Sequence, residues 1–218
     1  MPMASRRIEP LATIGVGQMR RRDLAITARS TGTATYSSAR LVTRTHFTFG
    51  YGTVSARMRM PSGTGMWPAF WALGTDETTV NWPSCGEIDV VEGLGAKPSV
   101  VAGHVHSLGN TADPLGYLDQ HVATLGTDWT SSTDTTGAFH TYTTYYRPGS
   151  LTFTFDAVPY YVATPEDLST GETWPFTGSP NYLLLNLAVG NSWWTGYTPN
   201  QPVGSSHTLL VDEITVTQ

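Results

Sequence analysis

The chain has 218 residues, enough for one domain with a full core, and sets Lys+Arg 12 against Asp+Glu 17 for a formal net charge of −5. Charged residues make up only 13% and aromatics 11%, with 22 glycines, which suits an all-β domain that handles a neutral ligand. No run approaches the roughly 18 apolar residues of a membrane span, and a single cysteine, Cys85, excludes an internal disulfide and a cysteine-based metal cluster.

The charge is unevenly placed. Eight arginines precede residue 45 and only Glu9 and Asp23 oppose them, so the head carries +6 while the remainder, with four basic and fifteen acidic residues, carries −11. An acidic body argues against nucleic acid as the partner of a cleft. Residues 1–23 form an irregular basic N-terminal segment without a convincing signal peptide. The apolar run Leu11 to Val16 is short for a signal core and no clear small-residue cleavage site follows. Arg20 to Arg22 read as a solvated charge run in preference to a nucleic-acid or membrane patch.

Strand signals begin at Leu24. Leu24 to Ser30 and Ser38 to Thr43 read as strands, and Thr53 to Met60 alternates strictly, with Val54, Ala56, Met58 and Met60 on one face and Ser55, Arg57 and Arg59 on the other. Gly65 to Gly74, GMWPAFWALG, packs two tryptophans, a phenylalanine and a proline into one short run. Trp67 and Trp71, four apart on a strand, share a side where flat indole faces can meet the apolar C–H faces of sugar rings; Phe70 is read as core.

Gly86 to Gly93, GEIDVVEG, sets three carboxylates among β-branched residues that favour a pleated backbone. Glu87 and Asp89 share a face with period two, and Glu92 breaks that parity. A β-bulge at Val90 or Val91 restores it. Two glutamates leaning together over such a strand can reach the roughly 5 to 5.5 Å separation of a retaining glycosidase, and three carboxylates so close cannot all ionise without cost. Read from spacing alone, an acidic strand rim or a calcium site stands beside catalysis as an alternative.

MWPAFWALG followed, after WPSC, by GEIDVVEG resembles the signature of glycoside hydrolase family 16, in the six-residue form of its endo-1,3-β-glucanase (laminarinase) branch. The resemblance covers 24–218 and implies a two-sheet β-jelly-roll sandwich, concanavalin A-like, with a concave cleft for a neutral β-glucan. It makes Glu87 the nucleophile, Glu92 the acid/base and Asp89 the residue that governs the nucleophile's geometry and protonation. Arg57 matches a family strand arginine that can orient a carboxylate, while Ser55 stands where an acidic residue is usual. The strand and loop that open family members are not found in residues 1–23. The resemblance also implies an extracellular enzyme that needs no cofactor; a monomer without a membrane or nucleic-acid partner is the accompanying expectation.

Cys85, next to the acidic strand, is read as a small buried hydrophobe and not as a catalytic thiol. Ser99 to Ser107 reads as the antiparallel partner of the acidic strand, presenting Ala102, His104 and His106 on one face. His106 matches the family histidine beside the acid/base, and His104 falls where a small polar residue is usual. Zinc wants three or four ligands and two histidines alone do not supply them, so no metal is assigned there. Leu108 to Gly137 is a polar stretch, expected to form a cleft lip with one strand at Tyr117 to Val122.

Phe139 to Asp156 is a hairpin turning at Arg147 to Ser150, in which Tyr145 and Tyr146 depart from the family pattern, and His140 is structural. Asn181 to Gly190 reads as a central strand buried on both faces, and the following GNSWWTG places Trp193 or Trp194 at the cleft edge. The terminal strand His207 to Gln218 carries Asp212 at a family calcium-ligand position, although its partner ligands there come from the missing opening, which makes a structural calcium doubtful. The departures keep a second function open, a β-glucan-binding protein with little turnover, and a third, the same chemistry on another β-glycan.

Overall fold

A computed structural model describes residues 23–32, 35–109, 122–190 and 204–218, and the backbone of 5–7. Two antiparallel sheets face each other. The larger has eight strands: β1 (Ser5–Arg7), β2 (Leu24–Gly32), β3 (Thr35–Ser37), β5 (Gly52–Arg59), β10 (His140–Arg147), β11 (Ser150–Phe155), β12 (Val158–Ala163) and β14 (Ser206–Thr217). The smaller runs in the order β4 (Arg40–Val42), β13 (Asn181–Val189), β6 (Met66–Gly74), β7 (Glu87–Gly93), β8 (Val100–Leu108), β9 (Val122–Thr130). This is the two-sheet jelly-roll sandwich that the resemblance implies. The helical turns α1 (Glu77–Val80) and Pro165–Asp167 are short connections, and none of the described helices is long and apolar enough to cross a membrane.

Alternation builds the core. Along β5 the pattern is buried at Val54, Ala56 and Met58 and open at Ser55 and Arg57, so one face enters the sandwich and the other looks out. Facing it, β6 sends in Phe70 and Ala72, β7 sends in Ile88, and β13 sends in Leu183 and Leu185. The other face of β6 and β13 is closed as well, by Leu73, Tyr182, Leu184 and Cys85, with Trp71 packed against them. That second covering explains why Asn181–Leu187 is buried on both faces although β13 lies one strand from the sheet edge.

The strand expected over Ser38 to Thr43 is β4, in the smaller sheet, and the chain reaches it from β3 in the larger sheet by crossing at Ser38 and Ala39. Ser5–Arg7, expected to be irregular, pairs with Thr215–Thr217 on β14. The strand expected at Tyr117 to Val122 falls on 110–121, outside the described residues, apart from Val122 itself. The strand observed there is β9, which lies in a stretch expected to be loop. It escapes recognition because Thr124, Gly126 and Asp128 look out of the sandwich, while Ala123, Leu125 and Trp129 pack inward.

The feature that sets the outer face of β7 is a bulge, at the position expected. Asp89 pairs with Trp71 and His104, whereas Glu92 pairs with Ala69 and Ala102. Val90 and Val91 therefore share the space of one residue on each neighbouring strand, and both enter the core at 1% and 0% exposure. The neighbour on β8 is Gly103, where a Cβ would stand 2.5 Å from the Tyr160 hydroxyl, so the close fit behind the bulge leaves no room for a side chain. Phe70, fully buried and paired with Val91, anchors the same region from β6. Phe70→Ala should lower stability by about 3–5 kcal/mol in a urea titration; a loss below about 1 kcal/mol would show that the two sheets do not depend on this contact.

Candidate active site

After the bulge, Glu87, Asp89 and Glu92 all leave the outer face of the smaller sheet, flanked by β6 and β8. Glu87 and Asp89 are hydrogen-bonded to each other. Glu87 Oε2 accepts a hydrogen bond from the Trp82 indole N–H at 2.8 Å. Glu92 is held at both oxygens: Trp67 Nε1 donates to Oε1 at 2.9 Å, and His104 Nδ1 lies 3.0 Å from Oε2. Asp89, between the two glutamates in sequence, has its Oδ2 3.2 Å from His106 Nε2 but off the line of a hydrogen bond, while His106 Nδ1 pairs with the Thr124 hydroxyl at 2.9 Å.

Burial dominates the electrostatics. It pushes Glu87 up to about 8, with the neighbouring charge of Asp89 adding to the effect. Asp89, only 3% exposed, is driven well above the usual carboxylate range, again by burial first and then by Glu92. Two carboxyls joined by a hydrogen bond titrate as a pair. The hydrogen bond raises Glu87 and lowers Asp89, so the two share a single proton. Cys85 behaves as the buried hydrophobe expected: it is 7% exposed and burial pushes its thiol up to about 11.

Of the residues singled out in the sequence, the structure brings together Glu87, Asp89, Glu92, Trp67 and His106, with Trp71 on the same face, its indole N–H donating to Asn186 Oδ1 at 2.8 Å. The Arg40 guanidinium stands 5.1 Å over the Trp71 ring. Arg57 does not join them. It leaves the outer face of the larger sheet, on the far side of the core, where it pairs with Asp212 at 2.6 Å and lies over Phe139. Its alternation is as expected, but the sheet that β5 enters points it away from the acids. His106 also differs from its expected neighbour. It is in register with Glu87 and reaches Asp89, and the imidazole beside Glu92 is His104. Trp193 and Trp194 lie outside the described residues.

Trp82 was not anticipated. It sits in the connection between α1 and β7, half-exposed, with its ring 6.4 Å from that of His106. A connection has no periodicity to reveal such a residue; the available signal was a Trp-Pro pair just before the acidic strand. His140, read as structural, is buried under the larger sheet with Nδ1 2.7 Å from Asp156.

Two sets, Glu87/Asp89/His106 and Asp89/Glu92/His104, bring ligand-capable atoms within 4.8 Å of one another, so third ligands that the sequence could not place do exist. Within each set the atoms already engage one another. At Asp212 the carboxylate is met by Arg57, and among the described residues no set of clustered acids or histidines includes it.

A family model described as "Glycosyl hydrolases family 16" matches residues 11–208, starting upstream of Leu24, where the motif resemblance begins. A Beta-glucanase of Rhodothermus marinus is 36% identical over 190 residues, covering 83% of this chain and 62% of that protein. Glucan endo-1,3-beta-glucosidase A1 of Niallia circulans is 31% identical over 183 residues, covering 77% of this chain and 24% of that protein. The chain thus spans less than two thirds of the length of either. Among solved structures, the laminarinase catalytic domain from Thermotoga maritima superposes with a TM-score of 0.75 at 30% identity, covering 90% of this chain and 77% of that one.

The raised value of Glu87 has a thermodynamic signature. A carboxyl that binds its proton more tightly in the folded protein adds stability that is fully present below its unfolded value of about 4.5 and is lost as pH rises through about 8. Glu87→Gln removes that loss. The melting temperature of Glu87→Gln minus that of the parent should therefore grow between these two pH values, to a gain of roughly 1–2 kcal/mol or a few degrees. A difference constant with pH would contradict the burial cost assigned to Glu87.

Proposed function

The chain belongs to glycosyl hydrolases family 16, and from that premise we propose that it is an endo-acting, retaining glycosidase that cuts internal β-1,3 linkages of glucans, or mixed β-1,3/1,4 ones. The observation that carries this reading is the bulge, which puts Glu92 on the same face as Glu87 and Asp89. Residues 24–218 are taken as the catalytic unit. The Glu87 carboxylate attacks the anomeric carbon while Glu92 gives a proton to the leaving oxygen, and the bond between them breaks. In the second half Glu92 takes a proton from water, the water oxygen attacks the anomeric carbon, and the ester to Glu87 is released.

The surroundings support these roles. With the shared proton on Asp89, Glu87 is ionised and stays hydrogen-bonded to it. Trp82 holds Glu87 Oε2 in place and offers a half-exposed ring to a sugar, and Trp67 fixes Glu92 Oε1. Trp71 presents a ring already covered on one side by Arg40. The reaction as written requires no cofactor, and every group it uses comes from a single chain, in keeping with a monomer. A polysaccharide substrate too large to enter a cell places the encounter outside it.

Of the positions that depart from the family pattern, His104 meets Glu92, and Ser55, Tyr145 and Tyr146 lie away from the acids. Ser55 and Tyr145 look out from the larger sheet, where Ser55 pairs with Thr143, and Tyr146 is buried in the core. Catalysis is therefore preferred to binding without turnover. The parent should release reducing sugar from laminarin with the β-anomer appearing first in proton NMR, and Glu87→Gln should reduce that release by at least about 1,000-fold. Substantial activity remaining in Glu87→Gln, or the α-anomer appearing first, would overturn the assignment.

A further inference from the structure

We infer that His104 is the positioning residue that stores the proton Glu92 delivers, an inference that rests on the acid/base reading of Glu92. An indole N–H can only donate, so the Trp67 bond makes Glu92 Oε1 an acceptor and leaves the acidic proton to Oε2. Oε2 is the oxygen that His104 Nδ1 meets at 3.0 Å, and both side chains are largely out of water, at 12% and 16% exposure. On the far side of the ring, His104 Nε2 stands 3.7 Å from Asp128 Oδ1, a half-exposed carboxylate on β9.

The neighbouring strand is shaped to receive this ring. His104 is in register with Gly126, and a Cβ on Gly126 would lie 2.0 Å from His104 Cδ2. The glycine provides the room that the imidazole occupies, so the ring is seated and not simply tolerated.

An imidazole holds a proton more tightly than a carboxyl does, so the imidazole is the member of such a pair able to keep a proton in reserve. In the first half-reaction the proton passes from Nδ1 to Oε2, and the Oε2–H bond then breaks as the leaving oxygen is protonated. In the second half water gives a proton to Oε2, from which it returns to Nδ1. No proton is gained or lost over the cycle. The other titratable groups near the pair are Asp89 and Glu87 on β7, His106 on β8 with its ring 6.1 Å from that of His104, and Tyr160 on β12, which senses the charge of Glu92.

The test uses His104→Asn, which keeps a donor but cannot hold the extra proton, and His104→Thr, which removes the ring. On laminarin, the alkaline limb of kcat/KM should move to lower pH by about one unit or more in both variants. On a 2,4-dinitrophenyl β-laminaribioside, whose leaving group departs without protonation, kcat/KM, which reports the first half-reaction alone, should stay within about threefold of the parent in both. An unmoved or upward-moving limb, or equal losses on the two substrates, would overturn the inference. A second measurement needs no turnover: in nitrogen-15 NMR of the intact protein, Glu92→Gln should move the titration of the His104 ring to lower pH, and an unchanged titration would also overturn it. If the parent fails to cut laminarin, the glucanase reading falls on its own and the NMR result still decides whether the pair shares a proton.

Discussion

Everything at the site depends on one residue of slack in one strand. A β-strand alternates its side chains with period two, so residues 87 and 92 of a regular strand point to opposite faces. The bulge lets Val90 and Val91 enter the core together and returns Glu92 to the face of Glu87 and Asp89. Three features make this tolerable: β-branched residues at the bulge, Phe70 opposite them on β6, and a glycine opposite them on β8. Packing between the sheets thus fixes which side chains the outer face presents.

The same arrangement is electrostatically expensive. Asp89 is almost wholly buried and Glu87 is driven upward by burial and by its neighbour. Nothing cationic of the Lys or Arg type touches the three acids in the described residues; their partners are indole N–H groups, imidazoles and each other. Neutral donors orient a carboxylate without fixing its charge, which leaves protons free to redistribute along the cluster. A site tuned in this way gives up stability for protonation states that a simple ion-paired surface would not supply.

Much of this was legible in the sequence because the decisive signals are local. Strict alternation over Thr53 to Met60 and the apolar run from Asn181 announce strands, and the parity break at Glu92 announces the bulge. What could not be read depends on register between strands or on which sheet a strand enters. Arg57 has the expected outward orientation, yet β5 belongs to the sheet remote from the acids. His104 and His106 share a face, and only the pairing of β7 with β8 decides which imidazole reaches Glu92. β9 is polar on its outer face, so its alternation passes for loop, and Trp82 lies in a connection where periodicity has nothing to say.

The central claim is that Glu87, brought onto the face of Glu92 by this bulged strand, forms a bond to the sugar. Incubation with a 2-deoxy-2-fluoro β-laminaribiosyl fluoride, followed by proteolysis and mass spectrometry, tests it most directly. The account predicts one covalent glycosyl adduct, located on the peptide containing Glu87 at that residue. Turnover of laminarin without any adduct, or a label on Asp89 or Glu92, would contradict it.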